Sequence, residues 1–77
     1  MIYFLRGRLV EKSPTQIIID CNGVGYEVNI SIYTYERLPK DEVIRIYTYF
    51  LVREDAQVLY GFMEKSERDV FIKLLSV

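Results

Sequence analysis

The chain has 77 residues and a formal net charge of −1 at pH 7, so it has room for one small domain with a single hydrophobic core. It contains no histidine and one cysteine, which excludes a Ser-His or Cys-His catalytic pair, an internal disulfide and a zinc site built from several cysteines. Its balanced charge is unlike that of a strongly basic nucleic-acid-binding domain, and it has no apolar run of about 18 residues that would span a membrane.

The first predicted strand covers residues 2–11, where apolar and charged residues alternate loosely. Gly7 lies inside this strand, and a glycine at such a position often marks a bulge or a bend. Its neighbours Arg6 and Arg8 are two residues apart, so we expect both side chains to point outward together.

A β-hairpin is predicted around Asn22-Gly23, because this pair readily adopts the positive φ angles that a type I′ turn requires. The preceding residues 16–21 are rich in β-branched side chains, and residues 24–30 alternate between apolar and small or polar positions. In contrast, Ile32, Tyr35 and Leu38 have helical spacing. They predict one short helical turn that ends at Pro39, followed by a surface turn at Lys40-Asp41.

The longest predicted strand covers residues 42–52 and has largely apolar positions on both faces. We therefore expect one face to line a barrel interior and the other to be covered by a helix or a partner. The charged segment Arg53-Glu54-Asp55-Ala56 interrupts it, and residues 57–62 form the next predicted strand. The charged segment thus forms the tip of a hairpin.

The last segment changes to helical periodicity. Ser66 and Asp69 are spaced as in a capping box, and an apolar stripe that we expect to pack on the barrel follows: Val70, Phe71, Leu74 and Leu75. The helix has no C-terminal stop signal, so we expect the native chain to continue beyond it.

These elements predict a mainly β fold: a small five- to six-stranded antiparallel Greek-key barrel of the OB type, with a C-terminal helix. We assign residues 1–63 to the barrel domain and residues 64–77 to the helix. One alternative function for such a barrel is a free-standing single-stranded nucleic-acid-binding OB domain, which needs exposed aromatic residues beside basic ones. Tyr33 and Tyr35 are the aromatic residues expected to be exposed, whereas four others are expected in the core: Tyr26, Phe50, Tyr60 and Phe62. Cys21 is expected to be a packing residue.

Three blocks of the sequence resemble the N-terminal domains of RuvA, the Holliday junction-binding subunit of the bacterial RuvAB branch-migration complex. These are Phe4-Leu5-Arg6-Gly7, residues 22–28 (NGVGYEV) and residues 52–62 (VREDAQVLYGF). The resemblance covers essentially the whole chain, and the block at 52–62 is its most specific part.

The resemblance implies an OB-fold domain of a non-catalytic, cytoplasmic protein that acts in DNA recombination, DNA repair and the SOS response to DNA damage. It implies a homotetramer, or two face-to-face tetramers, on four-way junction DNA, with the RuvC resolvase as a further partner. The RuvB ATPase motor would be recruited through a C-terminal domain absent from this chain. Most phosphate contacts would come from a helix-hairpin-helix domain that follows residue 77. No cofactor, metal or membrane association is implied.

The same resemblance matches Glu54 and Asp55 to an acidic pin at the centre of the junction. From the residues alone, a solvated hairpin tip is the alternative. Arg53 would either contact phosphate or neutralise the two acids locally. Arg6 and Arg8 are candidates for contact with the DNA backbone, and ordinary surface charge or an ion pair between subunits is the alternative for both.

Overall fold

A five-stranded closed barrel carries the two helices in this computed structural model, which describes residues 1–40 and 42–76. The strands are β1 (Phe4–Lys12), β2 (Gln16–Cys21), β3 (Val24–Asn29), β4 (Val43–Arg53) and β5 (Ala56–Phe62). The helices are α1 (Ile32–Glu36), between β3 and β4, and α2 (Lys65–Leu75), after β5. The predicted turn at Lys40-Asp41 lies partly outside the described residues, as does Val77 at the end of the last predicted segment.

The strands are hydrogen-bonded in the order β1-β2-β3-β5-β4, and β4 pairs with β1 to close the barrel. Four of the pairings are antiparallel. The fifth joins β3 and β5 in parallel through the single residue pair Asn29 and Tyr60. The arrangement confirms the predicted OB-type barrel with a C-terminal helix, and it has five strands.

The hairpin between β2 and β3 is built as its sequence predicts. Asn22 and Gly23 have φ angles of 53° and 88°, which are the left-handed conformations of a type I′ turn. The Asp20 carboxylate accepts a hydrogen bond of 2.7 Å from the Gly23 backbone N–H. This local chemistry fixes the register in which β2 and β3 pair.

The core is the inside of the barrel and is almost entirely aliphatic. Alternate residues of each strand point inward, as the strand period requires. The buried apolar side chains come from all five strands: Leu5, Ile17, Ile19, Val28, Ile44, Ile46 and Leu59.

Gly7 is important for a reason other than the predicted bend. The irregularity in β1 lies between Leu9 and Glu11, where the register with β2 shifts. At Gly7 the strand runs so close to β2 that an added Cβ atom would collide with the backbone oxygen of Asp20. The glycine therefore permits close strand approach, and the bulge lies further along the strand.

Both helices form where the periodicity predicts. The Ser31 side chain caps α1 by accepting a hydrogen bond of 3.1 Å from the Thr34 backbone N–H. The predicted capping box of α2 is wrong, because the helix begins at Lys65 and its N-cap is Glu64, which makes no side-chain capping bond. Asp69 instead pairs with Lys65 at 2.8 Å, and this hydrogen bond lowers the pKa of the Asp69 carboxyl.

Helix α2 covers the outer face of the β4–β5 ribbon, as the apolar character of both faces of β4 predicts. The Phe71 ring lies 6.0 Å from that of Tyr49, 5.1 Å from that of Tyr60 and 5.1 Å from that of Phe62. The rest of the predicted stripe is exposed, with Val70 57% and Leu74 68% accessible. The stripe prediction is therefore correct for Phe71 and wrong for its neighbours on the helix.

A buried arginine attaches α2 to the barrel. Arg68 is 6% exposed, and its Nε donates a hydrogen bond of 2.5 Å to the Thr48 carbonyl of β4. Its guanidinium also lies 4.2 Å from the centroid of the Tyr3 ring. Its terminal nitrogen lies 3.6 Å from the Asp69 carboxylate, so the positive charge is held by a carbonyl dipole, an aromatic face and a neighbouring acid.

Two glycines provide a matched test of the barrel packing. A Cβ atom at Gly61 would lie 2.5 Å from Val28 Cγ1 and 3.0 Å from Ile46 Cγ1, whereas at Gly25 the nearest atom is 3.8 Å away. We expect Gly61→Ala to lower the free energy of unfolding by about 1–3 kcal/mol through overpacking. Gly25→Ala should change it by less than about 1 kcal/mol. Urea denaturation of the 77-residue chain measures both, and equal effects would contradict the inward packing of Gly61.

The Arg68 attachment is tested in the same way. Arg68→Met keeps much of the buried volume but removes the donor to Thr48, so we expect a loss of about 1–3 kcal/mol in the free energy of unfolding. Arg37→Met is the control, because the exposed Arg37 side chain contacts the Tyr33 carbonyl and ring and has no ion pair with any residue in 1–40 or 42–76. Its effect should stay within about 0.5 kcal/mol. A loss in the control as large as that in Arg68→Met would show that the attachment is not specific.

Candidate nucleic-acid interface

The acidic hairpin tip is the most exposed part of the β4–β5 ribbon. The last strand pair is Arg53 with Ala56, so the turn consists of Glu54 and Asp55 alone. Every residue from 52 to 57 is exposed. In the described part of the chain, β1 pairs with β4 only as far as Tyr47, and the backbone pairing of β3 with β5 is limited to Asn29 and Tyr60. The outer end of the ribbon therefore extends beyond the barrel wall.

The turn itself is not one that hairpins favour. Glu54 and Asp55 both have negative φ, whereas the two-residue turns that suit strand twist need a positive φ at one or both positions. The turn also lacks glycine, asparagine and proline. Turn preference thus gives no reason for two carboxylates at this point.

The charges at the tip are not neutralised by the described residues. Neither Glu54 nor Asp55 forms an ion pair or a side-chain hydrogen bond with any residue in 1–40 or 42–76. Arg53, on the adjacent strand end, makes no ion pair with them either within those ranges. Both carboxylates therefore present their charge to solvent.

Arg6 and Arg8 lie outward on β1, as predicted, but far from the tip. Arg6 is directly opposite Arg45 of β4, and Arg45 is eight residues from Arg53, or roughly 27 Å along an extended strand. Arg8 lies 3.8 Å from the Asp20 carboxylate, with 59% of its side chain exposed. The structure thus separates the predicted site residues into an acidic tip and a distant basic group.

Two further residues join that basic group. Arg45 is exposed, and its guanidinium lies 4.9 Å from the centroid of the Phe4 ring, which is itself 46% accessible. Sequence reasoning placed both residues on largely apolar strand faces. The signal that identifies them is the pairing of β1 with β4, which joins segments about 40 residues apart.

The predictions for the aromatic residues are confirmed for Tyr33, Tyr26 and Phe50, and are wrong for Tyr35, Tyr60 and Phe62. Tyr33 is exposed, with the Arg37 guanidinium 3.4 Å above its ring, but Tyr35 is half-buried. The four residues predicted in the core are all half-buried: Tyr26, Phe50, Tyr60 and Phe62. Of these, Tyr60 and Phe62 pack outside the barrel, against α2.

Cys21 packs against the barrel core as a partly buried residue, as predicted. Burial raises the pKa of its thiol, the charge of Asp20 raises that pKa further, and a hydrogen bond from the Arg6 backbone has a smaller lowering effect. The described residues contain no cluster of three or more His, Cys, Asp or Glu side chains suited to a metal ion. Neither of the two described helices has the length and apolar character needed to cross a membrane.

Comparison with known proteins gives one family. The sequence model described as the RuvA N terminal domain matches residues 1–61. The chain is 53% identical over its 77 residues to the Holliday junction branch migration complex subunit RuvA of Flavobacterium psychrophilum, and 51% identical to that of Christiangramia forsetii. It is 53% identical over 76 residues, or 97% of its length, to RuvA of Pseudomonas putida. The chain spans 40%, 40% and 37% of these relatives.

The raised pKa of Cys21 predicts slow thiol chemistry. Since the thiolate is the reactive form, folded protein at about pH 8 should react with a disulfide reagent more slowly than a free thiol does. The rate should continue to increase with pH beyond the ordinary pKa of a free thiol, about 8.5. The same chain unfolded in urea is the control, because its thiol has the ordinary pKa. Equal rates in the folded and unfolded chain would contradict the prediction, and absorbance of the released reagent measures them.

Proposed function

Because the chain belongs to the RuvA N-terminal domain family, we propose that it forms the N-terminal domain of a Holliday junction branch migration subunit and presents Glu54 and Asp55 to the DNA at the junction centre. The observation that carries the proposal is the ribbon tip. Two exposed, unneutralised carboxylates lie at the end of a ribbon that projects from the barrel. The family relationship indicates junction DNA as the ligand, and the tip is the part of the domain that would act on this DNA.

Repulsion between these carboxylates and phosphate is a short-range effect. At about 4 Å the repulsion between two unit charges is about 1 kcal/mol in bulk water and about 4 kcal/mol at an effective dielectric constant of about 20. Salt limits its reach to about 8 Å under physiological conditions. The tip would therefore act only on the strands next to it, by preventing DNA backbones from settling there and by separating strands that enter the centre.

This energy is sufficient because branch migration is an exchange. Each base pair that opens is matched by one that forms, so the free energy changes little over a step, although one stacking step is worth about 1.4 kcal/mol. A repulsion of similar size can bias such a balanced process. It would be too weak to melt duplex DNA by itself.

In the proposed assembly four copies form a homotetramer on the four-way junction. Rotational symmetry would bring four tips together, so that eight carboxylates surround the crossover. This domain would be non-catalytic, and the ATPase activity would reside in RuvB, recruited through a C-terminal domain. RuvC would act on the same junction. The histidine-free composition of the chain and the absence of a phosphate-binding glycine loop from its sequence agree with a scaffolding role.

The proposal also assigns residues 1–63 to the barrel and residues 64–77 to a helix that leads to a helix-hairpin-helix domain. Exposed apolar side chains on α2 support this division, since Val70, Leu74 and Leu75 are 57%, 68% and 42% accessible. Val70 and Leu74 border an open groove of about 410 Å³. Such a face is more typical of a covered surface than of a solvated one. The following domain would provide the cover and most of the phosphate contacts.

The tip is tested by Glu54→Gln combined with Asp55→Asn in the full-length protein. These changes remove charge at nearly constant shape. Without the repulsion, we expect affinity for duplex DNA to rise by about fivefold or more, corresponding to about 1 kcal/mol. The preference for a four-way junction over duplex should fall, and the rate of branch migration with the motor should change.

The control for this test is Glu11→Gln combined with Glu36→Gln, which removes two exposed carboxylates elsewhere on the domain. Gel-shift titration and a branch-migration assay measure both variants. The proposal is wrong if the tip variant matches the parent in both assays. It is also wrong if the control variant reproduces the change, because net charge would then explain the result.

A further inference from the structure

We propose that the outer face of the β1–β4 pair binds single-stranded DNA at a second site, separate from the acidic tip. This basic strip consists of Phe4, Arg6, Arg8 and Arg45. The inference rests on the proposed function in one respect: the polyanion is taken to be DNA. It adds a binding surface and a strand preference that the acidic tip does not provide.

Two positive charges of the strip repel each other in the folded protein, which lowers its stability. Arg6 and Arg45 are directly opposite each other on neighbouring antiparallel strands, and like charges in such a pair are destabilising. Within residues 1–40 and 42–76, neither guanidinium forms an ion pair with a carboxylate. Arg8, by contrast, has an acidic partner, Asp20 at 3.8 Å. A phosphate group placed between Arg6 and Arg45 would relieve their repulsion and use donors that are otherwise solvated.

The aromatic ring in the strip favours single strands over duplex. Phe4 is 46% exposed, although it lies on a barrel strand, and Arg45 lies 4.9 Å from its centroid. A base can stack on an exposed ring whatever its sequence, because every base has a π-face. In a duplex those faces are covered by neighbouring bases. An exposed aromatic residue flanked by arginines is therefore the combination that single-strand-binding surfaces use.

The strip and the tip can act on DNA at the same time. Arg45 and Arg53 are eight residues apart on one strand, or roughly 27 Å. The Debye length at physiological salt is about 8 Å, so the carboxylates of the tip do not weaken phosphate binding at the strip. One element would repel strands where they cross, and the other would hold a strand that is unpaired nearby.

The test uses the full-length protein and a fluorescent oligothymidine. In Arg6→Gln combined with Arg45→Gln, we expect affinity by anisotropy to fall by about tenfold. We also expect the slope of log affinity against log salt to become shallower by about 0.7, because the two arginines share one phosphate and each lost phosphate contact to a single strand contributes about that much. Arg37→Gln combined with Lys40→Gln removes two exposed positive charges outside the strip. This control should change the affinity by less than about twofold and leave the slope unchanged.

A second variant reports on stacking directly. Phe4→Trp keeps an aromatic ring, and its emission, taken as the difference from the parent protein, should be quenched by oligothymidine but not by duplex DNA. Phe4→Ser should weaken oligothymidine binding by roughly tenfold.

Three results would overturn the inference. The first is equal effects of the strip and control variants on affinity and salt slope. The second is an absence of oligothymidine quenching in Phe4→Trp. The third is tryptophan emission from Phe4→Trp that depends on protein concentration and not on DNA, since this would identify the strip as a contact between subunits. Junction binding by the parent protein separates the two proposals. If the parent protein does not bind a four-way junction, the proposed function is wrong. If it does bind the junction and any of these three results is found, only the strip proposal is wrong.

Discussion

The arrangement of this domain depends on the hydrogen bonds of Thr48, a fully buried polar residue in the middle of β4. Its hydroxyl donates to the Ile2 carbonyl at 2.6 Å, and its backbone N–H donates to the Tyr3 carbonyl at 2.8 Å. Its own carbonyl accepts the bond from Arg68. An unpaired polar group in this aliphatic interior would be costly, so the N-terminal segment, the ribbon and α2 are joined at one point.

The attachment at Thr48 explains how β4 can be both a strand of the barrel wall and one half of the projecting ribbon. The part of β4 up to Tyr49 is held inside by the barrel core and outside by Arg68 and Phe71. The second half leaves the barrel with β5 as its only strand neighbour in the described chain. A two-stranded ribbon alone is marginally stable. Anchored at its base, it can carry a turn made of Glu54 and Asp55, which contributes charge but little turn preference.

The features that the sequence predicts well are those encoded locally. Asn22-Gly23 determines its own hairpin, and Ser31 caps its own helix within three residues. The acidic tip is also predictable as a position, because it interrupts two strand patterns, although the role that we propose for it at the DNA is not encoded in the turn geometry. The predictions that are wrong concern residues whose contacts are distant in sequence. Gly7 is required by the backbone of Asp20, and no local pattern reveals that contact.

Helix α2 shows the same limit more clearly. Its apolar spacing favours the stripe beginning at Val70, but the side chains that face the ribbon are Phe71 and the charged Arg68. A periodicity argument assigns an arginine to solvent, because it cannot include a carbonyl acceptor on β4 or the face of Tyr3. The contacts of Arg68 with the Thr48 carbonyl and the Tyr3 ring determine which face of the helix is buried. These contacts need β4 and the N-terminal segment to be side by side in the barrel.

Net charge is misleading for a related reason. A value of −1 for the whole chain argues against a basic DNA-binding domain, yet it averages over two regions of opposite sign. Two of the chain's eleven acidic side chains, Glu54 and Asp55, lie together at the tip, and three of its ten basic side chains, Arg6, Arg8 and Arg45, lie where β1 pairs with β4. Because screening confines each region to its own surroundings, a DNA strand meets the local charge and not the sum. In the functions proposed here, a nearly neutral domain would therefore repel DNA backbones at one end of a strand and attract them at the other.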